Sequence, residues 1–324
     1  MRLILSAPLV LVLAAPALAD PLPSWNDTDT KSAIVDFVEG VTDPDAATYV
    51  TPADRIAVFD NDGALWSEQP AYFQALYALD VLREKAEADP AILTSDVLRA
   101  ANEGDMQGMM AGGEEGLVEI INVSHSGITV EDFKAHAREW LTTATHPTSG
   151  LTYAEMTYQP MLELLTYLRD EGFTTYIVSG GGVDFIRSIS EDAYGIPPSQ
   201  VVGSEGNTSY AVVDGTPTLS KDGGISFIDD KEGKPVGIMR FIGQRPIFAA
   251  GNSDGDFAML EWTTAGAGPR FGMLVHHTDA EREFAYDREG HIGVLVEGLD
   301  QADDRGWAIV DMAEDWSRIW SGAE

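Results

Sequence analysis

The chain contains no cysteine. No disulfide can staple it, no thiolate can act as nucleophile or soft metal ligand, and no lipid can be attached through a cysteine. Positive charge is also scarce: 20 Lys and Arg stand against 53 Asp and Glu, for a formal net charge of −33. Nucleic acid and anionic lipid both need clustered cations, so neither is an expected partner. The same deficit repels an anionic substrate at long range, and any anion site must be built locally from a cation or oriented N–H groups. His125, His136 and His146 have no ligand-like spacing, which argues against zinc. Past the first residues, no apolar run is long enough to span a bilayer.

The one long apolar run lies at the start. Arg2 precedes Leu3 to Leu18, and Ala17-Leu18-Ala19 fits a small-residue cleavage site, the plan of a secretory signal peptide over residues 1–19. The expectation is a soluble mature protein beginning near Asp20, periplasmic or secreted. The remaining chain, roughly 300 residues, is long enough to bury a large core.

One helix is expected around Ser32 to Glu39. Ile56 to Phe59 reads as a short buried strand that ends in Asp60-Asn61-Asp62-Gly63. From Glu68 to about Gly150 the apolar spacing turns helical: Tyr72, Phe73, Leu76, Leu79 and Leu82 recur up to Pro90, and Ser95 and Thr129 stand where helix N-caps belong. No strand of substance is expected there, and the glycine-rich middle reads equally as a lid over a site or as inter-helix loops. Strand–helix alternation resumes after Thr157. Helices are expected over Pro160 to Asp170, Val183 to about Tyr194, Lys234 to Ile242, Phe257 to Thr264 and about Ala280 to Tyr286. Strands are expected at Thr174 to Val178, Val201-Val202 and Pro246 to Ala250, with a last clear one at Phe271 to Val275. A hairpin over Asn207 to Ser220 turns at Asp214-Gly215. Such alternation implies an α/β fold with a parallel sheet and right-handed crossovers.

Three expected strands end in polar or glycine-rich turns: Asp60 to Gly63, Ser179 to Gly182, and Gly251 to Asp256. In a parallel sheet all three share one edge, where such folds bind ligands. Asp60 is a candidate nucleophile and Asp62 its proton-transfer partner. Ser179 and its glycines offer a hydroxyl and unhindered N–H groups to phosphate oxygens. Asn252, Asp254 and Asp256 offer oxygens suited to a hard cation such as Mg²⁺. Lys231 and Lys234 are candidate cations for a phosphoryl group. Each signal alone also fits an ordinary turn or a solvated lysine; their common order is what gives them weight.

That order resembles the haloacid dehalogenase superfamily, in its phosphoserine-phosphatase-like branch. Phe59-Asp60-Asn61-Asp62-Gly63 matches its first motif, Val178-Ser179-Gly180-Gly181 the second, Lys234 the third, and Gly251-Asn252-Ser253-Asp254-Gly255-Asp256 with Met259 the fourth. The resemblance implies a Rossmann-like parallel sheet flanked by helices over residues 20–66 and 151–324, with a helical cap inserted after the first strand over residues 67–150. It implies a phosphomonoester hydrolase acting through an aspartyl-phosphate on a small phosphorylated metabolite, with phosphoserine, phosphorylcholine and sugar phosphates among the candidates. Asp60 becomes the nucleophile and Asp62 the general acid and base, while Ser179, the Gly180 amide and Lys234 hold phosphate. Mg²⁺ falls to the Asp60 side chain, the Asp62 carbonyl, Asn252 and Asp256, with Asp256 either binding the metal directly or positioning Lys234 or a metal water, and Lys231 competes with Lys234 for the third-motif role.

Two positions depart from the family pattern: Ala64 stands where Thr or Ser is usual, and Asn252 where Asp is frequent. Glu68 reads either as a contact for a substrate amine or as an exposed acid opening the cap helix. Trp66 reads as a packing residue, His276 and His277 as structural hydrogen-bonders, and Arg138 and Arg187 as anion contacts that nothing singles out. A 2-haloacid dehalogenase, which needs neither metal nor second acid, and a non-catalytic periplasmic binding protein are the alternatives.

Overall fold

The computed structural model describes residues 19–322, so all of the expected signal segment except Ala19 lies outside the described residues. The chain opens with α1 (Asp29–Thr42) and β1 (Ile56–Phe59), followed by α2 (Phe73–Ala88), α3 (Asp96–Glu103), α4 (Met106–Ala111), α5 (Gly113–His125), β2 (Ile128–Thr129) and α6 (Val130–Thr143). Next come α7 (Gln159–Asp170), β3 (Thr174–Gly182), α8 (Val183–Arg187), α9 (Ser190–Tyr194), β4 (Val201–Val213) and β5 (Thr216–Phe227). The chain closes with α10 (Gly233–Phe241), β6 (Phe248–Gly251), α11 (Phe257–Thr264), β7 (Phe271–His276), α12 (Glu297–Arg305), β8 (Ala308–Asp311) and α13 (Met312–Asp315).

The eight strands form one sheet in the order β2-β5-β4-β3-β1-β6-β7-β8. Strands β4, β3, β1, β6, β7 and β8 pair in parallel with their neighbours, and β5 and β2 are antiparallel additions. β1 is central and wholly buried because successive side chains point to opposite, helix-covered faces. Ala57 and Phe59 enter the core on one face, and Ile56 and Val58 that on the other. The carboxyl ends of β1, β3 and β6 therefore lie side by side, as the expected parallel sheet requires.

The segment between β1 and β3 carries α2 to α6 and a small core of its own, built on Ala78, Leu79, Leu82, Leu98, Ala101 and Ile120. Ser95 caps α3 by accepting from the Leu98 N–H, and Thr129 caps α6 by accepting from Asp132. The segment is not purely helical, because β2 pairs with β5. Only two residues make that strand, too few for an alternation to show. The β4–β5 hairpin turns at Asp214 and Gly215, both at positive φ, which suits the primed turn of a two-residue hairpin loop.

Two other expectations are corrected. Residues 280–286 form no helix. One helix-like bond runs from the Glu283 N–H to the Asp279 carbonyl, and Glu283 is then drawn inward, its carboxylate accepting from Ser67 and lying 3.2 Å from His277 Nδ1. The strand expected at Phe271 to Val275 is not the last, because β8 extends the sheet beyond it after α12. Its preceding helix, EGLDQADDR, is almost entirely polar and offers no apolar stripe to read.

Candidate active site

Asp60 directly follows β1, and its backbone N–H donates to the Ala250 carbonyl on β6 at 2.9 Å. The chain then folds tightly, the Asn61 carbonyl accepting from the N–H groups of Ala64, Leu65 and Trp66. Gly63 sits at φ +75, and a β-carbon there would stand 2.0 Å from Asn252 Nδ2, so glycine is required by both conformation and space. The loop presents both acids. The Trp66 indole N–H donates to Asp62 Oδ1 at 2.9 Å, so the expected packing residue also orients an acid. A methyl group built on Gly181 would stand 3.3 Å from Ser179 Oγ and 3.4 Å from Asp62 Oδ2, which puts these two oxygens at one place beside the glycine turn.

Lys234, in the first turn of α10, reaches this edge in full burial. Its Nζ lies 2.9 Å from Asp60 Oδ1 and 2.5 Å from Asp256 Oδ1, and donates to the Val178 carbonyl at 3.1 Å. Burial works to lower the lysine pKa, and the charges of Asp256 and Asp60 overcome it and raise it, so the ammonium stays charged. Lys231 is exposed and turned outward at φ +52, which leaves Lys234 as the cation at Asp60. Burial, reinforced by the Asp256 charge, pushes the Asp60 carboxyl well above its ordinary value despite Lys234. Burial also raises Asp62, opposed by the Trp66 hydrogen bond.

The residues of the fourth motif divide their labour. Asp256, expected as a metal ligand, has both oxygens engaged: Oδ1 with Lys234, and Oδ2 with the N–H groups of Asn252 and Ser253 at 2.9 and 3.1 Å. It anchors the lysine rather than offering a free ligand oxygen. Asp254 is occupied too, accepting from Val296, Glu297 and Gly298 where α12 begins. Asn252 donates Nδ2 to Glu68 Oε1 at 2.7 Å and leaves Oδ1 buried without a partner. Glu68 is not the exposed acid that its position also suggested: it is buried, and Oε1 accepts a second bond from the Tyr286 hydroxyl at 2.8 Å. Burial raises its pKa well above the ordinary value, against the Tyr286 hydrogen bond.

Among the described residues, no three His, Asp or Glu side chains gather as a metal cage. The oxygens suited to a hard cation are those of the Asp60 carboxylate, the Asp62 carbonyl and the orphaned Asn252 Oδ1. A buried carbonyl oxygen without a donor is costly unless something meets it, so the set fits an oxygen-preferring divalent ion with mostly neutral ligands.

A cavity of about 360 Å³ opens from Asp60, Asp62, Ser179, Gly180 and Lys234 toward α5 and the β4–β5 hairpin. Sequence reasoning missed Gln74 of α2. Its Oε1 accepts from the Gly182 N–H at 2.7 Å and its Nε2 lies 3.0 Å from His125 Nε2, tying the helical segment to the glycine turn. A single Gln inside a helical pattern carries no signal that distinguishes it. Arg138 and Arg187 do not line the cavity: the first pairs with Asp192, the second donates to the carbonyls of Pro198 and Val201. His277 donates Nε2–H to the Gly63 carbonyl at 2.8 Å and so braces the acid loop, and His276 lies 3.4 Å from Asp287 Oδ2.

A carboxylate-bearing strand end, a glycine turn with a hydroxyl, and a buried lysine on one edge of a parallel α/β sheet define a hydrolase site of the Rossmann-like kind. The chain matches the haloacid dehalogenase-like hydrolase family over residues 57–261 and belongs to it. No curated protein matches the chain in sequence. Among solved structures it is similar to a conserved protein of unknown function from Anaerococcus prevotii DSM 20548, at 14% identity and TM-score 0.57, covering 90% of this chain and 94% of that one. A protein of unknown function from Bordetella pertussis Tohama I aligns at 18% identity and TM-score 0.48, over 80% of this chain and 98% of that one. A phosphoserine phosphohydrolase-like protein from Francisella tularensis aligns at 15% identity and TM-score 0.37, over 77% and 98% of the two chains.

Proposed function

We propose that the protein is an exported phosphomonoesterase that acts on a small phosphorylated metabolite through a phosphoryl-aspartate on Asp60. Asp60 attacks phosphorus in line with the departing alkoxide. Asp62 protonates that alkoxide and then takes a proton from the water that hydrolyses the acyl-phosphate. Its raised pKa suits the acid role, and the Trp66 hydrogen bond to Oδ1 leaves Oδ2 to carry the proton. The Ser179 hydroxyl, the Gly180 N–H and the Lys234 ammonium hold the phosphoryl oxygens. Mg²⁺ would be held by Asp60, the Asp62 carbonyl and Asn252 Oδ1, and would supply charge neutralisation between the nucleophile and the phosphate.

The observation that carries this reading is Lys234. A lysine this buried, 2.9 Å from Asp60 at the end of the central strand, gives a strongly acidic protein the local cation that an anionic substrate needs. A panel of phosphomonoesters assayed with Mg²⁺ and with chelator tests it. Phosphate release that needs metal and is lost in Asp60→Asn is expected. No release from any ester, or full activity in Asp60→Asn, overturns it. Metal-independent halide release from a 2-haloacid would favour the dehalogenase alternative.

A further inference from the structure

Beyond the phosphate site the cavity limits what the leaving group can carry. Its far wall is apolar, formed by Leu117, Val118, Ile121, Phe133 and Ile225. Among the described residues lining it, the only lysines or arginines are Lys234, committed to the phosphate end, and Lys221. Lys221 is not available: Nζ is 2.6 Å from Asp184 Oδ2, both side chains are largely buried, and it sits over the Phe133 ring, 4.6 Å from the centroid. His125 adds no charge, because its two ring nitrogens face Gln74 and Ser124, and burial lowers its pKa to about 3. Against these stand the carboxylates of Glu205, Asp222 and Asp230 on the same lining. A carboxylate on the leaving group would enter a partly apolar space with no free cation and several like charges.

Resting on the phosphatase reading, we propose that the leaving group carries no carboxylate, and that phosphorylated hydroxy acids and amino acids, phosphoserine among them, are discriminated against. The Lys221–Asp184 pair enforces this by holding the one cation of the far wall neutralised. A cavity near 360 Å³ is at the small end for pockets that enclose drug-sized ligands, which suits a single ring or a short chain beside the phosphate.

A matched series tests the proposal in the full chain: phenyl phosphate, 4-carboxyphenyl phosphate and 4-(aminomethyl)phenyl phosphate, read as kcat/KM. Phenyl phosphate is expected to exceed the carboxylate by roughly 30-fold or more, the effect of an unpaired buried charge. The ammonium compound, which meets no free cation in the cavity, should not share that loss. In Asp184→Asn, which frees Lys221, the carboxylate should gain at least about tenfold relative to phenyl phosphate, the rough worth of a charge-assisted bond. Equal rates for the carboxylate, an equal loss for the ammonium compound, or an unchanged ratio in Asp184→Asn overturns the proposal. Binding of the corresponding phosphonates, measured by calorimetry, separates it from the reading it rests on. If no ester is turned over but phenylphosphonate binds and its carboxylate analogue does not, the phosphatase reading fails and the preference stands. If the carboxylate analogue binds as well or better, the preference fails.

Discussion

Lys234 and Asp256 meet in full burial, Nζ to Oδ1 at 2.5 Å, and the second Asp256 oxygen is held by the Asn252 and Ser253 N–H groups. The turn after β6 thus fixes the lysine that faces the turn after β1. Asp256→Ala leaves Lys234 with Asp60 alone and strips the Asn252 and Ser253 N–H groups of their acceptor, so it should lower unfolding free energy by about 2–4 kcal/mol. Urea denaturation measures it, and a loss below about 1 kcal/mol, the scale of an exposed pair, would show that the pair is not buried in solution.

Lys234→Met should reduce kcat/KM by roughly 10²–10³-fold, the scale seen when one stabilising donor is lost from a preorganised site. Lys234→Arg should not rescue it, because a planar guanidinium does not fit a pocket shaped around one ammonium. Steady-state kinetics on the best ester of the panel decides this, and near-normal activity in either variant counts against the role given to Lys234.

Glu68 holds the Asn252 amide by its N–H, which turns Oδ1 toward the orphaned position assigned to the metal. Glu68→Leu should weaken Mg²⁺ binding by roughly 10–100-fold, as loss of a ligand's supporting hydrogen bond does. Adding Asn252→Asp should restore affinity, since a carboxylate has no wrong end. Calorimetric titration reads the affinity without turnover. Unchanged affinity in Glu68→Leu would remove the positioning role, and no restoration in the double variant would mean that Glu68 does not act through Asn252.

Asp229 is buried, neither of its oxygens has a hydrogen-bond partner among the described residues, and burial raises its pKa to about 7 from an ordinary 3.8. A raised folded value means that its contribution to stability is complete below about pH 4 and is lost as pH rises through about 7. The stability difference between wild type and Asp229→Asn should therefore shift against wild type by roughly 2–4 kcal/mol between acid and mildly alkaline pH. Urea midpoints across that window test it, and a pH-independent difference contradicts it.

Most of the parallel sheet was legible because apolar runs such as IAVF and FAAG end in residues that cannot continue a buried strand. Asp60, Ser179 and Lys234 follow from that order, and the structure brings them to one edge. The edge strand β8 and helix α12 were not legible: four residues and a polar helix carry too little pattern. The role of Asp256 stayed open for a different reason. Whether a carboxylate meets metal or lysine depends on the reach of α10 across the sheet, which the spacing of GNSDGD does not contain. Gln74, Glu68 and Lys221 act across long sequence separations, and nothing local marks them.

The most direct measurement of the central claim is acid-quenched trapping of the enzyme during turnover of a phosphomonoester, with the modified peptide identified by mass spectrometry. The account predicts an acid-stable, hydroxylamine-sensitive phosphoryl group on Asp60, absent in Asp60→Asn and accumulating when Asp62 is replaced by Asn. Turnover with no phosphorylated Asp60, or a phosphoryl group on another residue, would contradict it.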